Sequence, residues 1–208
     1  MVEIFGEEAQ RRIEASVREA EARSHGEVVP VAVARSAGYG EARVRGALLG
    51  ALAATAAALL LDLPLSPAEL ALLQVAGGLA AGLAALLAPV ERLLTGRAGV
   101  DGAVRDRAVR AFQEHGLHRT ERGTGVLVFA SLRERRAVVL GDHGIHGKIG
   151  DAAWRAAVDR LVAGMRRGDP ASGFCDAIAL VGAGLAEHFP RGAAADGNEL
   201  PDRLRLDR

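Results

Sequence analysis

The chain has 208 residues, with 26 basic and 26 acidic side chains, so its formal net charge is zero. Half of the residues are hydrophobic, but only 3% are aromatic. This neutral balance excludes a protein that binds nucleic acid or another polyanion through bulk positive charge. The single cysteine, Cys175, excludes an internal disulfide and a cysteine-cluster metal site. Its apolar neighbours in the sequence indicate a buried structural thiol.

The first residues of the chain carry acids and lack the pattern of a cleavable signal peptide. Residues 7–23 then place Ile13, Val17 and Ala20 at helical spacing, which predicts an amphipathic helix. Residues 27–34 are mostly apolar and predict a strand. Because Pro30 cannot donate a ladder hydrogen bond, we expect this strand at a sheet edge or at a bulge.

Two uncharged segments follow, residues 46–61 and 70–90, on either side of a polar break that contains two prolines. A helix needs about 20 apolar residues to cross about 30 Å of hydrocarbon. The second segment is long enough, and tilt or local thinning of the bilayer accommodates the first. The pair predicts a transmembrane hairpin over residues 44–92. The alternative is two alanine-rich helices in a soluble core, but the rest of the chain is too short to cover both on every face.

Small residues predict how the two helices of this hairpin pack. With the turn centred near Ser66, Gly50 lies opposite Gly82 and Ala54 lies opposite Gly78, which allows close approach of the backbones. Arginines flank the hairpin on its outer ends, whereas the turn carries only acids. The positive-inside rule therefore predicts a two-pass protein of the bacterial inner membrane, with the soluble domain and both termini in the cytoplasm.

Three segments after the hairpin continue the soluble part. Residues 104–116 predict a helix, and residues 124–131 are a continuous apolar run that is typical of a central strand covered on both faces. Residues 137–140 predict a third strand. Since only a short charged connection separates the last two segments, we expect them to pair as antiparallel neighbours.

Two helices and a tail complete the chain. Asp151 can cap a helix that ends near residue 165, and Asp169 with Pro170 can begin another that ends near residue 187. Residues 191–208 predict a polar, loosely held tail with a docking segment at 198–202.

The sequence before the hairpin contains one helix and one strand, which is too little to bury a core. The first strand must therefore join the sheet formed by residues 124–141. The expected fold is α/β, a small αβα sandwich with a mixed sheet that is interrupted by a two-helix transmembrane hairpin. The sandwich comprises residues 1–43 and 93–190, the hairpin residues 44–92, and the tail residues 191–208.

Blocks on both sides of the hairpin resemble the TPM domain family. The first block runs from Ile13-Glu14-Ala15 to Ser24-His25-Gly26-Glu27-Val28-Val29. The second contains Gly125-Val126-Leu127-Val128-Phe129, Glu134-Arg135-Arg136 and Leu140-Gly141-Asp142-His143-Gly144-Ile145-His146. Further similarities are Trp154, residues 168–178, His188-Phe189-Pro190 and Asn198-Glu199-Leu200-Pro201-Asp202. The resemblance covers the soluble regions nearly from end to end.

This resemblance implies an α/β sandwich and, by the family's label, phosphatase activity. TPM domains are connected both with phosphate-ester hydrolysis and with the upkeep of membrane complexes such as photosystems. Divalent-cation binding is associated with some members, but this sequence lacks the Asp-rich amino-terminal segment that is typical of them.

The densest polar cluster, residues 142–146, follows the predicted third strand. Loops beyond strand carboxyl ends often bind ligands in open α/β sheets, and helix amino termini there favour anions. Asp142 and His146 are therefore candidate catalytic residues, with Arg119 to bind phosphate charge. Asp142, His143 and Glu27 are candidates for holding a cofactor such as a divalent cation, although no set of metal ligands can be assigned. The Asp-x-Gly sequence is also typical of a turn in which the acid binds its own backbone.

Two functions stay open, and so does the question whether the protein is an enzyme. The sequence contains no serine-nucleophile motif and no phosphate-binding P-loop. We therefore favour a membrane-anchored scaffold or quality-control module, whose partners are the lipid bilayer and another membrane protein, with no nucleic acid. The alternative is a phosphatase or a related metal-assisted hydrolase that uses Asp142, His146 and Arg119.

Overall fold

The computed structural model describes residues 4–36, 40–120, 122–191 and 199–207. The chain divides into two compact units. The first unit combines Met1–Ser36 with Val104–Arg208, and the second unit is Ala37–Ala103. The first unit is thus discontinuous in sequence, and the second is inserted into it.

The described strands of the first unit form one mixed sheet. They are β1 (Glu27–Val33), β2 (Gly125–Ser131), β3 (Arg136–Gly141) and β4 (Arg205–Asp207), in the order β3-β2-β1-β4. Strand β1 is parallel to β2 and to β4, and β3 is antiparallel to β2. The first strand therefore joins the sheet, and the second and third strands pair as antiparallel neighbours, as the sequence predicts.

Helices cover both faces of this sheet. On one face lie α1 (Glu7–Ala22), α6 (Asp151–Arg167) and α7 (Pro170–His188), which share a core with Val126 and Val128 of β2. The alternate β2 residues, Leu127 and Phe129, are also fully buried, on the opposite face. The carboxyl-terminal part of α4 (Ala88–Glu114) covers that face and buries Val104, Ala108 and Ala111. The predicted α/β sandwich with a mixed sheet is confirmed.

The ends of α6 and α7 show which acids act as caps. Asp169 accepts a hydrogen bond from the backbone N–H of Ser172, and Pro170 occupies the first turn of α7, as predicted. The capping prediction for Asp151 is wrong, because Gly150 is the N-cap and Asp151 is the first residue of α6. Cys175 is half-buried against the core rather than fully buried.

Strand β1 is an interior strand, so the predicted edge position is wrong for the strand as a whole. The reason that Pro30 is tolerated is local. The N–H of Glu27 donates to Thr124, on the β2 side, and parallel pairing alternates this direction along the strand. The backbone nitrogen of Pro30 therefore faces the β4 side, where the described pairing begins only at Val31. The missing N–H falls on an unpaired stretch of β1.

The tail is more ordered than the sequence predicts. Residues 205–207 form β4 and pair with Val31–Val33 of β1, and Leu204 is buried in the core. The backbone N–H groups of Glu199 and Leu200 donate to the carboxylate of Glu27, so the predicted docking segment does contact the domain. Asn198 of that segment lies outside the described residues.

The second unit contains α2 (Gly40–Leu60) and α3 (Pro67–Ala84), together with the first part of α4, which is interrupted at Gly96 with a φ of 67°. Ser66 and Glu69 form a reciprocal capping box that starts α3. Both α2 and α3 are long and apolar enough to cross a membrane, with a mean hydropathy of 1.4 and 1.3 over 18 residues. Only 11% and 6% of those windows are buried, so neither helix is a core helix of this unit.

Small residues bring α2 and α3 together, but with different partners from those predicted. A Cβ atom on Gly50 would lie 2.3 Å from the carbonyl oxygen of Gly77, and not beside Gly82. Ala54 likewise contacts Gly77 rather than Gly78. The crossing point is therefore displaced from the one that symmetric pairing about Ser66 predicts, since Gly50 lies opposite Gly77 instead of Gly82.

Candidate functional site

A cavity of about 600 Å³ lies in the first unit, between the end of α4 and the end of β3. Its wall combines apolar, amide and basic side chains with the backbone of one glycine. The lining residues are Val109, Phe112, Gln113, His118, Arg119, Leu140 and Gly141. Cavities of roughly 300–1,000 Å³ with a few polar groups are typical of ligand sites, so this is the candidate site of the domain.

A short 3-10 turn, Leu117–Arg119, positions the two basic residues of the cavity. Gly116 precedes it with a φ of 75°, a left-handed conformation that ends α4 and that glycine adopts without strain. Leu117 is fully buried and lies against Gly125, where a Cβ atom would be 2.5 Å from the Leu117 carbonyl oxygen. Since Leu117 is held in the core, His118 and Arg119 follow it at the exposed surface.

Arg119 and His118 are joined by a hydrogen bond. Arg119 Nε donates to His118 Nε2 over 3.2 Å. A guanidinium group only donates, so the ring nitrogen accepts and His118 is neutral in this arrangement. The remaining guanidinium N–H groups of Arg119 can bind an anionic group at the rim of the cavity.

Asp142 directly follows Gly141, but one of its oxygens serves the local backbone. Its Oδ1 atom accepts from the backbone N–H of His143 at 2.7 Å and lies 3.0 Å from His143 Nδ1, at the start of α5 (His143–His146). The turn interpretation of Asp-x-Gly is therefore correct for this oxygen. Oδ2 is buried and has no hydrogen-bond partner among the described residues.

The predicted catalytic residues are brought only partly together. Arg119 and Gly141 share the cavity wall, which places Asp142 next to that wall in the sequence. The side chain of His146 lies outside the described residues. Asp142 follows the carboxyl end of β3, as predicted, but this end does not lie beside the carboxyl ends of the neighbouring strands. Because β3 is antiparallel to β2, its carboxyl end lies beside the amino ends of β1 and β2, where Gly141 pairs with Val126.

The predicted cofactor-binding residues do not form one site. Glu27 is buried, and its two oxygens accept the backbone N–H groups of Glu199 and Leu200. The side chain of His143 is 89% exposed and contacts Asp142 instead. Within the described residues, no group of three or more His, Cys, Asp or Glu side chains could hold a metal ion.

A second polar cluster escaped the sequence analysis. Glu21 of α1 is 9% exposed and accepts the backbone N–H of Val28 at 2.9 Å. The sequence signal for this burial is the helical spacing, because Glu21 lies four residues after Val17 and thus on the apolar stripe of the helix. Burial, and to a smaller extent the nearby acids Glu27 and Asp202, raise the pKa of Glu21 to about 8, although the hydrogen bond from the Val28 N–H acts in the opposite direction.

Comparisons with known proteins agree with this architecture. Residues 90–184 match the model of the TPM domain. The BA42 protein from the psychrophilic bacterium Bizionia argentinensis, solved by NMR, has a similar fold with a TM-score of 0.60. The similarity covers 97% of this chain and 94% of that one at 18% sequence identity. The comparison with curated proteins gives no match.

Proposed function

Because the protein carries a TPM domain, we propose that it is a membrane-anchored interaction module, a scaffold or quality-control factor for another membrane protein. The observation that carries the proposal is the outward face of α2 and α3. Their large side chains point away from the unit, and most are more than half exposed. Examples are Leu48, Leu52, Leu72, Leu79 and Leu83. Apolar surface of this extent marks a membrane or a partner, and lipid suits two whole helices that are apolar all round.

We further propose a location and a topology. The hairpin would cross the bacterial inner membrane twice, with the soluble domain and both termini in the cytoplasm. The support comes from the sequence, since the outer ends of the hairpin carry arginines and its turn carries Asp62 and Glu69.

The cavity supplies the docking position for the partner in this proposal. Val109, Phe112 and Leu140 offer apolar surface, and Arg119 offers positive charge, whereas the lining residues that the structure describes include no acid. A partner segment with an apolar side chain beside an acidic group matches this combination.

Site-specific crosslinking tests the docking position. A photoreactive residue in place of Gln113 should give one defined adduct with a membrane protein in native membranes. Arg119→Glu should reduce that adduct at least several-fold, because it reverses the charge at the cavity. The matched control places the photoreactive residue at Arg155, which is exposed on α6. The same adducts from both positions would contradict the proposal.

A phosphatase or related metal-assisted hydrolase is the second candidate function, and one observation favours it. The buried Oδ2 atom of Asp142 lacks a partner among the described residues, which is costly unless the oxygen is protonated or binds a ligand. Hydrolysis of a generic phosphomonoester by the detergent-solubilised protein, with and without a divalent metal, tests this function. Asp142→Asn should abolish the activity, and Asp151→Asn, at an exposed position, should not. Activity that survives Asp142→Asn would refute this candidate.

A further inference from the structure

A groove of about 630 Å³ lies in the second unit, along the seam between α2 and α3. Large apolar side chains form its rims, such as Leu48 of α2 and Leu79 of α3, and both are more than half exposed. Smaller and less exposed residues form its floor, namely Ala47, Ala51, Gly78 and Gly82. The seam is therefore an open apolar groove on the surface of the hairpin.

The glycines of the groove differ from the pair at the crossing of α2 and α3. Gly50 and Gly77 make that close approach, whereas a Cβ atom on Gly82 would make an ordinary 3.6 Å contact with Ala47. Gly78 and Gly82 form a Gly-x-x-x-Gly sequence within an apolar helix of 18 residues. This pattern is typical of the face through which two transmembrane helices associate. The pattern thus lies on the groove and not at the crossing.

Gln74 brings a carboxamide group to the same groove. It precedes Gly78 by four residues and therefore lies on the same row of the helix. Its Nε2 atom donates to Thr55 Oγ1 at 2.8 Å, but its Oε1 atom accepts no hydrogen bond from the residues that the structure describes. Gln74 is the eighth residue of α3 (Pro67–Ala84), near the middle of the helix. An amide oxygen without a donor is costly in hydrocarbon, because no water replaces the donor there.

A second copy of the chain supplies the missing donor. Two copies with the same topology are related by a two-fold axis along the membrane normal, and residues on this axis lie opposite their own counterparts. A carboxamide both donates and accepts, so the second N–H of each Gln74 can donate to Oε1 of the other. A wholly apolar partner helix would leave both oxygens without a donor.

The shape of α3 is self-complementary as well. Two neighbouring rows run along the helix at four-residue spacing, a large one of Val75, Leu79 and Leu83 and a smaller one of Gln74, Gly78 and Gly82. The large row of one copy can enter the groove of the other, and the two-fold axis repeats the same fit. Among the described lining residues only Arg43 is charged, and it lies near the outer end of α2, where a long side chain reaches the headgroups.

We propose that two copies of this protein associate within the bilayer through this groove, with α3 of one copy parallel to α3 of the other. The inference rests on the proposed insertion of the hairpin into a membrane. It goes beyond that proposal because it assigns one face of the hairpin to a second copy and leaves the other faces to lipid.

Disulfide crosslinking of the purified full chain tests the geometry, in vesicles of phosphatidylethanolamine and phosphatidylglycerol. Cys175→Ser first removes the single native cysteine. Gly82→Cys, on the groove, should then give a covalent dimer on oxidation, because the two-fold axis brings like residues together. The matched control is Ala80→Cys, at an exposed position on the other side of α3 and only about 3 Å away along the helix axis. It should give several-fold less dimer.

Energy transfer between fluorescently labelled chains, over a series of chain-to-lipid ratios, measures the dissociation constant of the dimer. Gln74→Leu should raise this constant by roughly 3- to 30-fold, the range expected for hydrogen bonds between transmembrane helices. Gly82→Leu fills the groove and should raise the constant at least about tenfold. Thr55→Val is the control for Gln74, since it removes the partner within the hairpin but keeps the carboxamide. It should not raise the constant.

Four results would overturn the dimer. The first is a chain that resists extraction from the vesicles by alkaline carbonate but gives no crosslink at Gly82→Cys, which would leave the proposed membrane anchoring intact. The second is equal crosslinking from Ala80→Cys. The third is an equal weakening by Thr55→Val and Gln74→Leu, because Gln74 would then act within the hairpin. The fourth is an adduct of Gly82→Cys with another protein, instead of a second copy, in native membranes.

A chain that carbonate extracts completely from the vesicles would overturn the dimer and the proposed membrane anchoring together. Extraction and crosslinking are measured on the same samples, so failure of the dimer is distinguished from failure of the anchoring.

Discussion

At the residue scale, the lack of a side chain at Gly50 and Gly77 sets the distance between α2 and α3. Gly50 and Gly77 face each other, and a Cβ atom on Gly50 would lie 2.3 Å from a backbone oxygen that cannot move aside alone. Gly82 lies off this crossing, where a Cβ atom would make an ordinary 3.6 Å contact with Ala47. A methyl group is thus excluded at one glycine and accepted at the other.

We therefore predict that Gly50→Ala separates the two helices and destabilises the hairpin by about 1–3 kcal/mol, the usual cost of overpacking. Gly82→Ala should change stability by less than about 0.5 kcal/mol. Thermal unfolding of both variants in the same detergent measures the difference. Equal melting temperatures for Gly50→Ala and the unmodified chain would show that the helices do not cross at Gly50.

At the element scale, β4 depends on side chains as much as on its three backbone pairs. Arg107 and His115 of the α4 region are 15% and 14% exposed, and both bind Asp207, which is 19% exposed. Arg107 also pairs with Glu114, whose side chain is 56% exposed and well solvated. The half-buried pairs matter more for stability than the exposed one, because solvent screens the latter.

Asp207→Ala should lower the stability of the first unit by about 1–3 kcal/mol, since it leaves two half-buried donors without their acceptor. Glu114→Ala should cost less than about 0.5 kcal/mol. Urea unfolding in detergent at one pH compares the two variants. A larger effect of Glu114→Ala would mean that β4 is not held through Asp207.

At the scale of the whole molecule, one compact unit is inserted into another. The α/β unit uses residues on both sides of Ala37–Ala103, and its sheet joins β1 to β2 across that insertion. A domain whose core is complete without the insertion should fold when the insertion is replaced by a flexible linker.

We predict that the full chain needs detergent to stay monodisperse. A variant with residues 37–103 replaced by a Gly/Ser linker of about 15 residues should be monodisperse in plain buffer and should give the far-UV circular dichroism of a folded α/β domain, less the contribution of the removed helices. Size-exclusion chromatography with light scattering measures the monodispersity, and circular dichroism measures the helix and strand content. If the full chain remained monodisperse without detergent, the helices α2 and α3 would not be lipid-facing.

The sequence by itself determined the features that repeat within one segment. Local patterns indicate burial or lipid exposure in three places. They are the apolar stripe of α1, the continuous apolar run of β2, and the long uncharged stretches in α2 and α3. These features were enough to predict the α/β sandwich and the inserted hairpin, and the TPM resemblance agreed with them.

Only the tertiary structure decided which distant groups meet. Glu27 binds the backbone of residues 199 and 200, and β4 pairs with β1, each across more than 170 positions of sequence. Periodicity shows that a face is buried, but it does not show what covers it, because the same stripe fits any complementary surface. The cavity beside Arg119 and the contact of Glu27 with residues 199 and 200 depend on groups that are distant in sequence, and for that reason local sequence patterns could not locate them.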